Sequence, residues 1–332
     1  MGCYHWGVRV GWSCTYLPVE ILEAGGLLPE RLLPPPEVPK EDALLDPNFC
    51  PYIRSLLSFL QGEHSLQAVV LMNTCDGMRR LFDVVVHYLD LPAFLLDVPR
   101  KVDESSIRYF RERLQDLVHW LKEALEVEVG QEALHGAIVR GNETRALLRG
   151  LLEEGVKASL ILGLVREGFS LPREAFNDRL KEALSRAESA EGKVKLLMTG
   201  SLLEVVPLVE LAEGLGAEVT ALDLCTGLRF VQEVKREDDP LMALSRAYLR
   251  KPPCARMSDG RRRQYLEASM QGVQGVIYYV PKFCDPYLYE LPSLRGLCEE
   301  KGIPLLVLEG DYTGRVTGGM RTRVEAFLER WM

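Results

Sequence analysis

The chain has 332 residues, of which 47% are hydrophobic and 27% are charged, as is ordinary for a soluble globular protein. Its net charge of -8, from 40 basic and 48 acidic residues, gives no support for nucleic-acid binding. No apolar run reaches the roughly 18 residues that a membrane span needs, and the first residues lack the basic and apolar segments of a signal peptide. We therefore expect a cytoplasmic protein without membrane contact, and at roughly 150 residues per domain we expect two domains.

Strand and helix patterns alternate in the first part of the chain. Apolar runs bounded by polar residues are typical of buried parallel strands, and the proline-rich residues 29–39 predict an irregular excursion. The expected elements are strands at 8–12, 68–72 and 93–98 and helices at 18–25 and 76–88.

A long middle stretch, residues 103–190, repeats apolar residues at three- and four-residue spacing and predicts helices without strands. The alternation then returns, with strands expected at 194–198, 218–222, 273–280 and 305–308 and a final helix at 321–331. Strands that alternate with helices favour parallel sheets built from right-handed crossover units. We therefore predict an α/β fold with two parallel-sheet domains, residues 1–102 and 191–332, and a helical insertion over residues 103–190.

Eight cysteines are present, at positions 3, 14, 50, 75, 225, 254, 284 and 298. In a reducing compartment, thiols more often bind metal, catalyse or pack than form disulfides. Cys75, Cys225 and Cys284 closely follow predicted strands, and the carboxyl ends of parallel strands form a ligand crevice. The dipole of a following helix is expected to lower the thiol pKa and favour the metal-binding thiolate. Cys50 precedes Pro51, which favours a helix start.

Other interpretations of the cysteines stay open at this point. A free Cys is often a small buried hydrophobe, and Cys3 and Cys298 are expected to be of this kind. Zinc would favour closely paired cysteines, and the sequence has no CxxC pair. A nucleophilic cysteine enzyme would need a His partner, and the five histidines do not cluster. The side chains that follow three of the cysteines, Asp76, Thr226 and Asp285, are expected to cap helices.

A set of cysteine-centred motifs runs through nearly the whole chain. The motifs are Gly11-Trp12-Ser13-Cys14-Thr15-Tyr16, Asn48-Phe49-Cys50-Pro51-Tyr52, Asn73-Thr74-Cys75-Asp76, Asp223-Leu224-Cys225-Thr226-Gly227, Pro252-Pro253-Cys254, Lys282-Phe283-Cys284-Asp285-Pro286 and the tail Asp311-Tyr312 with Arg321-Thr322-Arg323-Val324-Glu325-Ala326-Phe327. In content and order they resemble the D-component family of 2-hydroxyacyl-CoA dehydratases, which also includes the class I benzoyl-CoA reductase subunits. Together the motifs are highly specific, whereas any one of them alone would be weak.

The resemblance implies two flavodoxin-like domains with added helices and a [4Fe-4S] cluster between them. By motif, Cys50, Cys75 and Cys284 correspond to three cluster ligands, which leaves one iron open to substrate. It also implies radical elimination of water from a 2-hydroxyacyl-CoA thioester, with electrons from a separate ATP-dependent iron–sulfur activator and with a related second subunit. The leading hypothesis is therefore a cluster-bearing subunit of an acyl-CoA dehydratase, a lyase, or of a related acyl-CoA reductase, an oxidoreductase.

Two alternatives to this hypothesis stay open. Double-cubane cluster proteins also look like this chain, and they use six cysteines to hold an [8Fe-9S] cluster that reduces small molecules, here in a homodimer. Cys14, Cys225 and Cys254 would complete the six. Against a ligand role for Cys254, the usual Pro-Cys-Pro-Cys is here Pro253-Cys254-Ala255-Arg256. The other alternative is a non-catalytic electron-transfer or scaffold subunit.

Two groups of arginines and one turn also carry expectations. The basic run at 261–263 and the arginine pair at 79–80 are expected on exposed helix faces. Residues 199–201, Thr-Gly-Ser, follow a predicted strand and are either an anion-binding turn or a plain one.

Overall fold

The computed structural model describes residues 7–34, 44–62, 65–201, 205–312 and 315–332. Within these ranges the strands are β1 (Arg9–Trp12), β2 (Leu28–Arg31), β3 (Leu66–Met72), β4 (Ala93–Leu96), β5 (Val194–Gly200), β6 (Ala217–Asp223), β7 (Gly275–Pro281) and β8 (Leu305–Gly310). The helices are α1 (Glu20–Ala24), α2 (Pro51–Gln61), α3 (Asp76–Tyr88), α4 (Glu104–Leu125), α5 (Gln131–Glu153), α6 (Ala158–Gly168), α7 (Arg173–Ser185), α8 (Val206–Gly214), α9 (Pro240–Arg250), α10 (Arg261–Ser269), α11 (Asp285–Lys301) and α12 (Gly318–Leu328), followed by a 3-10 turn at Glu329–Trp331.

The strands form two four-stranded sheets in which the described pairings are parallel. Their orders are β2-β1-β3-β4 and β6-β5-β7-β8, so both sheets place their first strand between their second and third. This is the order of the first four strands in a flavodoxin-like sheet. Helices α4 to α7 separate the sheets along the chain. The prediction of an α/β fold with two parallel sheets and a helical region between them is confirmed.

The central strands are buried on both faces, because crossover helices cover both sides of a parallel sheet. All residues of β7 are buried, and β3 exposes only Gln67. At the end of β5, Gly200 has a φ of 145°, and a Cβ there would lie 2.0 Å from the carbonyl oxygen of Tyr279. Glycine therefore lets β5 approach β7 at the carboxyl edge of the second sheet.

One continuous hydrophobic core contains side chains from both sheets and from the helical region. Val10 of β1, Leu117 of α4 and Leu196 of β5 belong to it and are fully buried. Two further cores form where α2 and α3 cover β3 and where α11 covers β7. Burial of this apolar area is the main source of folding free energy. The division into domains at residues 1–102, 103–190 and 191–332 stays a prediction.

The helical region is tied to the C-terminal half by packing and by ion pairs. Helix α4 packs against α9, and Glu104 of α4 lies 3.0 Å from Arg246 and 2.9 Å from Arg250 of α9. Within the described ranges, every helix is too short or too polar to cross a lipid bilayer.

Two expectations about local structure are wrong. Residues 29–31, at the start of the predicted irregular excursion, belong to strand β2, and Pro29 is tolerated because β2 is the edge strand of its sheet. Residues 35–39 of that excursion lie outside the described residues. No helix starts at Cys225: the chain makes turns over residues 225–230, and α9 begins only at Pro240.

Candidate metal centre

Three cysteines lie at helix starts, as the sequence predicts. Cys50 immediately precedes α2, Cys75 precedes α3 and Cys284 precedes α11, each as the N-cap residue. The predicted capping by Asp76 and Asp285 is wrong, because each of these residues is already the first residue of its helix. At α3 the cysteine itself caps the helix, since the Sγ of Cys75 accepts a hydrogen bond of 3.4 Å from the backbone N–H of Met78. Cys75 is therefore held by its own helix.

The folded chain brings these three thiols together from both halves. The thiols of Cys50, Cys75 and Cys284 lie close enough for each to affect the pKa of another. The hydroxyl of Ser201, at the end of β5, lies 3.3 Å from the Sγ of Cys284. The N-terminal half supplies two of the thiols and the C-terminal half supplies the third.

Burial and the neighbouring thiols, rather than the helix dipole, dominate the acidity of these cysteines. Burial raises the pKa of Cys75 to about 12, although the Met78 N–H acts against it. The neighbouring Cys50 thiol and then burial raise the pKa of Cys284, and the Cys284 thiol in turn lowers the pKa of Cys50. The expected lowering at a helix start is therefore wrong for Cys75, where burial penalises the thiolate, and for Cys284, where the Cys50 thiol and burial both do so.

A second set of cysteines, Cys14, Cys225 and Cys254, lies beside the first. Cys225 interacts electrostatically with both Cys14 and Cys254, and burial raises its pKa to about 11. Its Sγ lies 3.1 Å from the Tyr287 hydroxyl and accepts a hydrogen bond of 3.4 Å from Arg229. The same thiol packs in one core with Cys50 and Cys75 and in another with Cys284. Cys225 therefore connects the two sets.

Buried ion pairs fix the side chains next to Cys225. Asp223, at the end of β6, lies 2.6 Å from Arg229 and 2.6 Å from Arg262. Arg262 also pairs with Glu290 of α11 at 2.5 Å. Burial acts to raise the pKa of Asp223, but the two guanidiniums outweigh it and hold that pKa below its usual range. The prediction of an exposed face for residues 261–263 is wrong for Arg262, which is buried.

The remaining expectations about side chains have clear outcomes. The arginine pair at 79–80 is exposed on α3, as predicted. Cys298 is buried in the core beneath α11, as predicted for a packing residue, whereas Cys3 lies outside the described residues. The six cysteines of the two sets are all partly exposed. They therefore differ from Cys298 in leaving room for a ligand.

The donor set around this centre consists of thiols. Within the described ranges, no group of three or more His, Cys, Asp or Glu side chains is arranged to hold a single metal ion. An iron–sulfur cluster is larger than one ion and takes its thiolates at separate corners, so its ligands need not converge on one point. The chemistry of the thiol set fits such a cluster.

Sequence reasoning missed several side chains that surround the thiols. Tyr287 and Lys251 contact or face them, and they stand directly after Pro286 and directly before Pro252, at the edges of two motifs. Ser201 contacts Cys284 and ends the Thr-Gly-Ser turn at 199–201, which the sequence did not link to a thiol. Burial lowers the pKa of Lys251 to about 7, and the Cys14 and Cys254 thiols act against this lowering. Arg31 lies in the segment that was expected to be irregular and carried no signal. These side chains come from elements far apart in the chain, and local patterns do not report such contacts.

Fold and site together define an α/β protein that gathers thiols near the carboxyl ends of two parallel sheets. Residues 14–330 match the model of the family described as 2-hydroxyglutaryl-CoA dehydratase, D-component. The chain belongs to this family of dehydratase and benzoyl-CoA reductase subunits, and the recognition of the family from the cysteine motifs is confirmed.

Curated relatives cover nearly the whole chain at low identity. The putative dehydratase subunit YjiM of Escherichia coli is 25% identical over 96% of this chain and 90% of its own length. A benzoyl-CoA reductase subunit of Thauera aromatica is 26% identical over 90% of this chain and 84% of its own. The beta subunit of lactoyl-CoA dehydratase from Anaerotignum propionicum is 24% identical over 96% and 91%. The match therefore extends over the full architecture.

Proposed function

We propose that this chain is the iron–sulfur cluster-bearing subunit of an ATP-activator-dependent 2-hydroxyacyl-CoA dehydratase, or of a related acyl-CoA reductase. The observation that carries the proposal is the convergence of Cys50, Cys75 and Cys284 from three helix starts in both halves of the chain. These thiols would hold a [4Fe-4S] cluster with one open iron. The names of the relatives, which are dehydratase and reductase subunits, support the same reaction class.

The residues of this chain would position the cofactor and control access to it. The helix starts fix the three sulfur atoms, with Cys75 held by the Met78 N–H and Cys284 held by the Ser201 hydroxyl. When bound, the cluster supplies single-electron chemistry to a thioester carbonyl, so that water is lost from a 2-hydroxyacyl-CoA by a radical route. The buried pair of Arg229 with Asp223 keeps the side chains around Cys225 in place.

The names of two relatives support a partner subunit for this chain. Two of them are named as alpha and beta subunits of one phenyllactyl-CoA dehydratase from Clostridium sporogenes. By analogy, this chain pairs with a related second subunit or with a second copy of itself, and it receives electrons from a separate ATP-dependent iron–sulfur activator. The substrate is a CoA thioester, and the working location is the cytoplasm.

A second candidate function is a double-cubane [8Fe-9S] reductase of small molecules. The observation that favours it is the position of Cys225, which interacts with Cys14 and Cys254 and also packs in the cores that contain Cys75 and Cys284. Six thiols in one connected group would suit a larger cluster.

Iron and sulfide counts test both candidates. Protein purified without oxygen is expected to hold about four irons per chain for a single cube and about eight for a double cubane. Cys75→Ser is expected to release iron under either candidate, and Cys225→Ser only under the second. Cys298→Ser is the matched control, because Cys298 is buried within α11 and lies outside both cysteine sets, and this variant should keep its iron. Stoichiometric zinc, or no iron after reconstitution, rules out both candidates.

A third candidate, a non-catalytic electron-transfer or scaffold subunit, predicts the same iron content. Its test is turnover: the isolated chain, supplied with activator, ATP and a 2-hydroxyacyl-CoA, would show none. Turnover by the isolated chain excludes this candidate.

A further inference from the structure

The interior of the protein holds more basic than acidic side chains. Among the described residues, six buried side chains are basic and three are acidic. The basic side chains are Arg31, Arg145, Arg229, Lys251, Arg256 and Arg262, and the acidic ones are Glu20, Asp223 and Glu290. An unpaired charge in a protein interior is strongly unfavourable unless an opposite charge lies close to it. The buried basic side chains therefore outnumber the buried carboxylates by three.

Ion pairing divides the six basic side chains into two groups of three. Arg145 pairs with Glu20, Arg229 pairs with Asp223, and Arg262 pairs with Asp223 and Glu290. Within the described part of the chain, no carboxylate lies at ion-pair distance from the other three. These are Arg31, Lys251 and Arg256, and each is no more than 5% exposed.

The three unpaired cations line one short segment, residues 12–16, which carries Cys14. The Lys251 Nζ donates hydrogen bonds of 2.5 and 2.8 Å to the carbonyl and hydroxyl oxygens of Thr15, and it lies 4.1 Å from the centre of the Tyr16 ring. The Arg256 guanidinium lies 5.8 Å from the same ring. Lys251 also interacts electrostatically with Cys14 and Cys254.

Arg31 reaches the same segment from β2. Its guanidinium lies 4.9 Å from the ring centre of Trp12 and 4.7 Å from that of Phe169. It interacts electrostatically with Cys14 and Cys225. Arg31 and Lys251 therefore face the second cysteine set from different sides. Arg256 lies beside them at the Tyr16 ring, and its guanidinium donates hydrogen bonds to the backbone carbonyls of Val98 and Pro99.

Buried hydrogen-bond donors at the same place also lack partners. Among the described residues, the Nε and Nη1 atoms of Arg31, the indole N–H of Trp12 and the hydroxyls of Ser13 and Tyr16 have no hydrogen-bond partner. Buried polar groups are nearly always satisfied in native proteins. Cations and unsatisfied donors around one segment together favour an acceptor that carries negative charge.

We propose that Arg31, Lys251 and Arg256 form a cationic wall that balances the negative charge of the iron–sulfur cofactor and of the Cys14, Cys225 and Cys254 sulfurs beside it. This inference rests on the function proposed above and adds to it the residues that compensate the cofactor's charge. A positive wall stabilises the reduced, more negative state of the cofactor over the oxidised one, and so raises the reduction potential. In cofactor-free protein the same cations repel one another and destabilise the fold.

Arg31→Met tests the wall with little structural disturbance. Methionine keeps an unbranched side chain between the Trp12 and Phe169 rings, and the replacement removes Nε and Nη1 atoms that have no described partner. Arg31→Lys keeps the charge and serves as the conservative variant. Urea unfolding is measured for cofactor-free protein and for iron-loaded protein kept without oxygen, and the reduction of the cofactor is followed by electron paramagnetic resonance.

The wall predicts effects of opposite sign in the two states. Arg31→Met is expected to raise the urea midpoint of the cofactor-free protein and to lower that of the iron-loaded protein. At a fixed potential, the ratio of reduced to oxidised cofactor should fall at least tenfold, which corresponds to 59 mV for a one-electron couple. Arg31→Lys should behave like the wild type in both measurements.

The matched control is Arg145→Met, which removes a buried cation that has a carboxylate partner in Glu20. It should lower the urea midpoint in both states and leave the reduction ratio unchanged. A change of the same sign for Arg31→Met in both states, or an unchanged reduction ratio, overturns the wall. The wall is also refuted if inorganic phosphate alone stabilises the cofactor-free wild type as much as iron loading does. The three cations would then serve a free anion.

Failure of the wall can be told apart from failure of the proposed function. Wild-type protein that binds no iron refutes the proposed function together with the wall. The wall alone is refuted if the wild type binds iron but Arg31→Met leaves both urea midpoints and the ratio of reduced to oxidised cofactor unchanged.

Discussion

The ion pair of Glu20 with Arg145 ties three parts of the chain together. Glu20 stands at the start of α1, Arg145 lies in α5 of the helical region, and Tyr248 lies in α9 of the C-terminal half. The Arg145 Nη2 lies 2.5 Å from the Glu20 carboxylate, and the Tyr248 hydroxyl donates to the other carboxylate oxygen at 2.8 Å. The Glu20 carboxylate is fully buried. We predict that Glu20→Gln destabilises the protein strongly.

The magnitude follows from burial. Removal of one partner of a buried ion pair typically costs about 3–5 kcal/mol, because it leaves an uncompensated charge away from water. The exposed pair of Arg263 with Glu300 has a similar separation of 2.6 Å, but Glu300 is 61% exposed. An exposed pair contributes only about 0–1 kcal/mol, so Glu300→Gln is the matched control.

The pH dependence has a definite sign. Burial acts to raise the pKa of Glu20, but Arg145 and Arg173 outweigh it and lower that pKa below the ordinary value of 4.5. The stabilisation is therefore fully present above the unfolded-state value of about 4.5 and is lost as the pH falls through the lower folded-state value. Glu20→Gln removes this part of the acid dependence, and Glu300→Gln keeps it.

The assay is urea denaturation followed by far-ultraviolet circular dichroism, near neutral pH and again below about pH 4.5. Glu20→Gln is expected to lower the urea midpoint near neutral pH, and the difference from the wild type should shrink in acid. Equal free-energy losses for the two Glu→Gln variants would refute the reasoning that burial decides the strength of the pair.

Three further predictions concern the edge of the second sheet, and each is measured by urea denaturation. Gly200→Ala is expected to lower the free energy of unfolding by about 1–3 kcal/mol, because the new Cβ would meet the Tyr279 carbonyl oxygen at 2.0 Å; an unchanged midpoint would show that β5 can move aside. Phe283→Gly is expected to raise the free energy of unfolding by up to about 1 kcal/mol, because Phe283 has a φ of 57° and is 44% exposed, so that strain is relieved with little packing lost. Phe283→Ala should give no such gain, and a gain from both variants would argue against strain as the cause. Tyr287→Phe is expected to lower it by about 1–3 kcal/mol, because Arg229 loses an acceptor at 2.6 Å, and wild-type stability would contradict a structural role for that hydroxyl.

The repeating patterns of the sequence were sufficient for most of the fold. The apolar runs that became β3, β5 and β7 are long, and the residues that bound them are polar or turn-forming, so strand and helix periods could be separated. Strand β2 was missed because two of its four residues, Leu28 and Pro29, give no alternating pattern and proline argues against a strand. Its place at the sheet edge, which only the pairing with β1 reveals, makes the proline acceptable.

The site was predicted in part. Motif order identified six cysteines and the family, and three of those cysteines indeed start helices. The helix expected after Cys225 was wrong, since a strand–Cys–Gly pattern is compatible with both a helix start and a series of turns. The acidity of the thiols was also misjudged, because burial depends on side chains from distant elements.

The sequence by itself determined the alternation of strands and helices, the family and the positions of the thiols along the chain. These properties depend on residues that are near one another in sequence, where period and turn chemistry act. Only the tertiary structure decided which charges are buried and which are paired. Arg262 and Arg31 look alike in sequence, yet one lies between two carboxylates and the other lies between two aromatic rings. The physical reason is that desolvation and pairing depend on the packing of elements that are distant in sequence.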